Sequence, residues 1–280
     1  MEKAIKRYFP IFVLPTMIAF TLGFIIPFVE GVYLSFCKFT TVNDAKFVGF
    51  ANYAKVFTDE TFVHAFWYTA AFTVVSVILI NVLAFAVALL LTKGFKGTNI
   101  FRTVFFMPNL IGGIVLGYIW QLLLNGILMK FSRTLTYSST YGFWGFIILM
   151  CWQQIGYMMI IYIAGIQNIP GELIEAAEID GATKWQILKK VTIPMVMPSI
   201  TVCTFLTLTN SFKLFDQNLA LTNGEPSKMS EMLALNIFNT FYGRTGYEGV
   251  GQAKAVIFFI LVTVIALTQN YLTRRKEVQQ

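Results

Sequence analysis

Charge is what this sequence has least of. Only 12% of its 280 residues are Asp, Glu, Lys or Arg, while 56% are apolar. Soluble domains carry about 25% charged residues, so an ordinary soluble globule is excluded. Histidine is nearly missing too. His64 alone cannot build a histidine metal cluster, and its place in a polar loop leaves a serine–histidine–acid set without a base. Cys37, Cys151 and Cys203 are too few and too scattered for a disulfide framework or a metal site. Cys151 and Cys203 fall in apolar runs, as small buried hydrophobes do. No Walker A glycine loop is present, so the chain does not itself cradle ATP phosphates. No catalytic residue, metal or cofactor is expected. The net charge of +7 is no nucleic-acid footprint, because the basic residues gather between and beyond apolar runs as topology signals do.

What is there is apolar length. About 20 mostly apolar residues cross a bilayer, and six stretches qualify: 9–29, 65–91, 103–124, 143–166, 193–212 and 253–272. The first is too long for a cleavable signal peptide, and no small-residue cleavage site closes it. Residues 37–64, 125–142 and 216–252 read as polar loops. Six spans put both termini on one side. The basic N-terminus (Lys3, Lys6, Arg7), the turn with Lys93, Lys96 and Arg102, the 168–192 loop and the basic C-terminus (Arg274, Arg275, Lys276) share that side. By the positive-inside rule it is the cytoplasm. The expectation is one all-α integral membrane domain over 1–280.

The stretch from Asn168 to Ile200 is the longest charge-rich run between two spans. Pro170 suits a first helical turn, and Glu172 and Glu175 then lie near the positive end of the helix dipole. Asp180-Gly181 signals a turn. Thr183 and Gln186 have capping-box spacing for a second helix ending at Lys189 and Lys190, before Pro194 and Pro198. On these grounds alone it is a solvated helix–turn–helix loop.

Its wording says more. Glu175-Ala176-Ala177, Asp180-Gly181-Ala182, Pro194 and Pro198 resemble the EAA signature of bacterial ABC importer permeases across more than twenty residues. FVGFANYAKVF, FRTVFFMPNLIGGIVLGYIW and LFDQNLALTNGEPSKMSEMLALNIFNTFY are similar to the carbohydrate branch of that family, in particular to the first of its two permeases. The resemblance implies a six-helix type I ABC importer permease in the bacterial inner membrane, with the first helix peripheral. It implies a heterodimer with a second permease, two cytoplasmic ATPase subunits, an extracytoplasmic binding protein and a carbohydrate substrate. In that family the loop is a coupling helix seated in the ATPase. Glu172, Glu175, Ala176, Ala177, Asp180 and Gly181 are carried over to that role. Asp180-Gly181-Ala182 is also similar to part of the signature of CDP-alcohol phosphotransferases, but the aspartates needed further along are Lys, Trp, Ile and Leu here.

Polar side chains inside spans are costly in hydrocarbon and so informative. Gln153 and Gln154 stand mid-span. Thr207, Asn210 and Ser211 share a helical face at i, i+3 and i+4, and Asn109 follows Pro108. Interhelical hydrogen bonding is the plainer reading for isolated Thr73, Ser76 and Asn81. For the larger group, converging amides and hydroxyls suit a sugar. The resemblance to the maltose permease puts Met150, Gln153, Gln154, Thr207, Asn210, Ser211 and Leu214 at or beside substrate-contacting positions. Gly112-Gly113 reads as a close helix packing site. An ion-coupled secondary transporter is the alternative. It needs an intramembrane acid or base, and none lies mid-span.

Overall fold

The computed structural model describes residues 2–94 and 96–275, with side chains from Phe9 onward except that of Pro10. Lys276 and the side chains of Lys3, Lys6 and Arg7 lie outside the described residues. In chain order the helices are α1 (Glu2–Phe20), α2 (Ile26–Leu34), α3 (Ala51–Phe57), α4 (Glu60–Leu91), α5 (Thr98–Phe106), α6 (Gly113–Leu128), α7 (Ser139–Gln167), α8 (Gly171–Ile179), α9 (Lys184–Ile187), α10 (Ile193–Met195), α11 (Met197–Phe212), α12 (Asp216–Leu221), α13 (Leu233–Gly243) and α14 (Glu248–Arg274). A two-residue strand pair, β1 (Cys37–Lys38) antiparallel to β2 (Lys46–Phe47), is the only sheet among the described residues.

The chain divides into two compact units. One comprises Met1–Glu60 and Ile237–Phe259. In it α1 and α2 join through a π-helical turn, Thr21–Ile25, and form an almost wholly exposed span candidate over Ile11–Leu34. The supposed polar loop that follows is built structure. Asn52 Nδ2 of α3 donates to Ser35 O (2.9 Å) and Cys37 O (2.8 Å). Gly249 of α14 brings its backbone against the Cys37 carbonyl, where a Cβ would collide. Lys254, the second residue of the expected sixth span, is fully buried and pairs with Asp59 (2.7 Å) and Thr240 Oγ1 (2.8 Å).

The other unit comprises Thr61–Asn236 and Ile260–Gln280, and α7 is its mast. Of the span candidates α7 is the most buried, and its glycines admit neighbours at several levels. Gly145 faces Leu135, Gly156 receives the backbone of Phe105–Phe106, and Gly165 faces Ser199 and Val196. From Thr61 on, α4 buries one stripe, Ala65, Thr69, Phe72, Ser76, Ile80, Ala84 and Ala88, and is apolar on its remaining sides. That all-round apolarity suits a helix with protein on one face and lipid on the others.

Two expected spans are broken. Residues 103–124 are not one helix: α5 ends at Phe106, a 3₁₀ turn covers Met107–Leu110, and Ile111 is extended before α6. Buried Pro108 lacks the donor an uninterrupted helix needs. Residues 193–212 are not one helix either. α9, a π-helical turn (Leu188–Thr192) and α10 run together to Met195, then bend by 69° into α11. α11 has 16 residues, or about 24 Å, short of the roughly 30 Å hydrocarbon core. Among the described residues, five helices are long and apolar enough to cross a membrane, six if the bent pair is one span.

The 216–252 stretch is also no open loop. α12, α13 and the first turns of α14 occupy most of it. Asn218 fixes the turn after α12, donating to Ser230 O (2.8 Å) and accepting from Met232 N (2.8 Å). Within 125–142, buried Leu135 donates its backbone N–H to Asn125 Oδ1 at 2.8 Å, and α6 extends to Leu128.

Candidate functional site

The residues singled out in the spans fall into two groups. Gln153 and Gln154 are nearly buried on α7 and, being adjacent, face about 100° apart. Gln153 Oε1 accepts from Gln217 Nε2 of α12 (3.0 Å), and its Nε2 donates to Ile111 O (3.4 Å). That carbonyl lies in the non-helical stretch after Pro108, where it has lost a helical donor. Gln154 Oε1 accepts from Asn210 Nδ2 of α11 (3.4 Å). A row of neutral amides thus reaches from α12 across α7 to α11. Ser211 is buried on α11, and its Oγ has no hydrogen-bond partner among the described residues. Asn109 is half-buried in the 3₁₀ turn that packs on α7, and no described hydrogen bond ties it to the row.

Thr207 belongs elsewhere. Its hydroxyl donates to Cys203 O one turn back and accepts from Asn81 Nδ2 (2.8 Å), while Asn81 Oδ1 accepts from Tyr162 OH (2.6 Å). These bonds join α4, α7 and α11 in a closed polar knot. Asn81 is therefore not isolated, and bridging two other helices is its occupation. Thr73 and Ser76, expected to make such bonds, have hydroxyls without partners among the described residues.

Gln217 was not anticipated, because residues 216–252 look polar enough for a loop. The signal was legible all the same. Asp216-Gln217-Asn218 sits between Leu214-Phe215 and Leu219-Ala220-Leu221, a polar patch on a short helix. What seats α12 is the i, i+4 glycine pair on α6. A Cβ on Gly113 would lie 2.7 Å from Asp216 Cβ, and one on Gly117 would collide with Ala220. Gly112, expected to share in this packing, has open space around it and serves as the N-cap. Gln121 Nε2 adds a bond to Leu221 O (3.0 Å).

The 168–192 stretch has sharply defined ends. Pro170 is the N-cap of α8 rather than its first helical residue. Gly181, at φ +78°, closes α8 with a Schellman motif: Gly181 N donates to Glu178 O (3.0 Å) and Ala182 N to Ala177 O (2.9 Å). A capping box starts α9, with Thr183 N donating to Gln186 Oε1 (2.7 Å) and Gln186 N to Thr183 Oγ1 (3.3 Å). The helical path then continues past Lys190 to Met195. Glu172, Glu175, Ala176, Asp180 and Gly181 are exposed and Ala177 is half-buried. Exposed as well are two large apolar side chains that flank the turn at Gly181, Ile179 (86% exposed) and Trp185 (70%). Single exposed hydrophobes are ordinary on a protein surface, and these two stand on either side of one turn.

The sequence model of the binding-protein-dependent transport system inner membrane components matches residues 80–278. The chain is 41% identical to a probable starch degradation products transport system permease protein of Thermoanaerobacterium thermosulfurigenes, over 96% of this chain and 94% of that one. It is 29% identical to a multiple sugar-binding transport system permease protein of Streptococcus mutans, over 99% of each. In fold it is similar to a chain of a bacterial ABC transporter involved in import of the polysaccharide alginate, with TM-score 0.82, 23% identity and 98% of each chain covered. The match across most of its length, on a chain of membrane-crossing helices, shows that this protein is a multi-pass permease belonging to the family of binding-protein-dependent transport system inner membrane components.

Proposed function

We propose that the chain is one of two unlike permease subunits of an ATP-driven, binding-protein-dependent sugar importer, lining half of the pathway in the bacterial inner membrane. The carrying observation is the amide row Gln217–Gln153 and Gln154–Asn210. It is neutral, nearly buried and rich in paired donors and acceptors, which suits the hydroxyls of a sugar and gives no counter-charge to an ion. The names of the relatives support the same substrate class. Ser211 and Asn109 complete the lining in this reading, while Thr207 holds the helices that present it.

Both termini and residues 168–192 face the cytoplasm, and residues 37–64 and the part of 216–248 beyond α12 face outward, toward the extracytoplasmic binding protein. ATP is hydrolysed by two separate cytoplasmic subunits. Glu172, Glu175, Ala176, Ala177, Asp180 and Gly181 form the docking helix and its hinge, with Ile179 and Trp185 as apolar contacts. The 69° bend between α10 and α11 links that segment to the helix bearing Asn210 and Ser211, so a shift of one end reorients the other.

The test is uptake of labelled di- and trisaccharides by the transporter reconstituted with its partners, comparing the parent with Gln154→Leu. Sugar uptake that needs ATP and falls in the variant supports the proposal. Uptake driven by an ion gradient without ATP would replace it with a secondary transporter.

A further inference from the structure

α3 has two faces of opposite character. Asn52 and Val56, four residues apart, are buried against the chain, and Tyr53 OH meets Ser35 Oγ at 2.7 Å on the same side. The opposite face holds Phe50, Ala54 and Phe57 at i, i+4 and i+7, and β2 adds Phe47 just before them. These three phenylalanines are 67–74% exposed. Phe36 connects them to the first span, its ring 6.4 Å from that of Phe47 and 5.3 Å from that of Phe50. α2, immediately before, exposes Phe28, Val29 and Tyr33, and the intervening Ser35 is turned inward. An apolar surface therefore runs from a membrane-crossing helix onto the loop.

Its charges are mostly basic. Lys38, Lys46 and Lys55 are exposed in the same segment, the Lys55 ammonium 5.6 Å from the centre of the Tyr247 ring. Asp44, the single acid within residues 36–57, is engaged by the backbone N–H groups of Thr40 (3.0 Å) and Thr41 (2.9 Å). Amphipathic helices with aromatics on one face and lysines at its margin lie in the bilayer interface. A seven-residue helix is too short to fold on its own. Here Asn52 and Val56 hold it folded in advance.

We propose that residues 36–57 are an interfacial membrane anchor. Phe47, Phe50 and Phe57 lie among the lipid headgroups and first acyl carbons at the end of the first span, with the lysines on lipid phosphates. A bilayer fits better than a protein partner because the stripe offers phenylalanine without hydrogen-bonding side chains and continues a lipid-facing helix.

The test places a nitroxide at Phe50→Cys, Phe57→Cys or Asn43→Cys, in a chain whose native cysteines are replaced. The intact transporter is held in nanodiscs of phosphatidylcholine and phosphatidylglycerol. The labels at 50 and 57 should show a ratio of oxygen to water-soluble nickel-chelate accessibility several-fold above that at 43. Equal ratios at the three positions would overturn the anchor. So would immobilisation of the 50 and 57 labels only when the binding protein is added, which would make the stripe a protein-docking surface. If a label perturbs folding, quenching of Phe57→Trp by brominated lipid gives the same reading, and no quenching above the parent's gives the same refutation.

Discussion

Gln217 of α12 and Gln153 of α7 are joined by a 3.0 Å amide hydrogen bond, and the α12 that carries Gln217 is seated against Gly113 and Gly117 of α6. The pair is 64 residues apart in sequence. It couples the short helix after α11 to the most buried of the span candidates.

Replacing either partner by leucine should lower sugar uptake and stability by the worth of a neutral bond, about 0.5–1.5 kcal/mol. That is a two- to roughly tenfold effect on an equilibrium. Uptake and melting temperature of Gln153→Leu, Gln217→Leu and the double variant form a cycle. A coupling of about 1 kcal/mol is expected, and strict additivity would mean the two side chains act independently.

Gly113→Val and Gly117→Val should each displace α12, since overpacking a closed contact costs about 1–3 kcal/mol. Gly112→Ala is the control, with open space for its methyl group. Melting curves of the three should separate the first two from the third. Equal melting temperatures would show that α12 does not depend on the glycine seat.

Lys254→Met alone should be destabilising, by up to about 3–5 kcal/mol, because it removes the buried cation from its ion pair with the half-buried Asp59. The double change Lys254→Met, Asp59→Leu should recover most of that loss. Thermal unfolding of the purified chain decides it, and a double variant as unstable as the single would show that the pair is not the source of the cost.

At the hinge, Gly181→Val meets a left-handed backbone that costs a non-glycine residue about 1–2 kcal/mol, and it should abolish uptake while the chain still inserts. Glu175→Lys should do the same by reversing an exposed charge at the proposed ATPase contact. Normal uptake in both variants at matched expression would remove residues 168–192 from the coupling role.

Much of this was legible because it is local. The turn at Asp180-Gly181 and the capping box at Thr183 and Gln186 depend on neighbours in sequence, and both stand as read. Apolar length likewise revealed the membrane-crossing helices. The breaks at Pro108 and Val196 were harder to see, since proline within an apolar run is tolerated when neighbours donate to the freed carbonyls. The donor to Ile111 O is Gln153 Nε2, 42 residues away. Gln153, Gln154 and Asn210 were found by their rarity in apolar runs. Gln217 was missed because polarity suggests a loop where tertiary packing makes a helix. Asn81, read as an interhelical hydrogen-bonding residue, makes such bonds, whereas Thr207 looks alike in sequence to the lining residues and only its bond with Asn81 marks it as part of that knot.

The glycines of α7 carry an implication for recombination among relatives. Gly156 meets the carbonyl of Phe105, and Gly165 meets Ser199 and Val196, both at places where a neighbouring helix is broken. Backbone cannot rotate aside as a side chain can, so Gly156 tolerates not even a methyl group without moving α5. A graft of α7 from a related permease would fold only if its glycines fell at the same heights as the discontinuities opposite them. Residues 98–112, 139–167 and 193–212 are thus one heritable block, to be exchanged together or left in place.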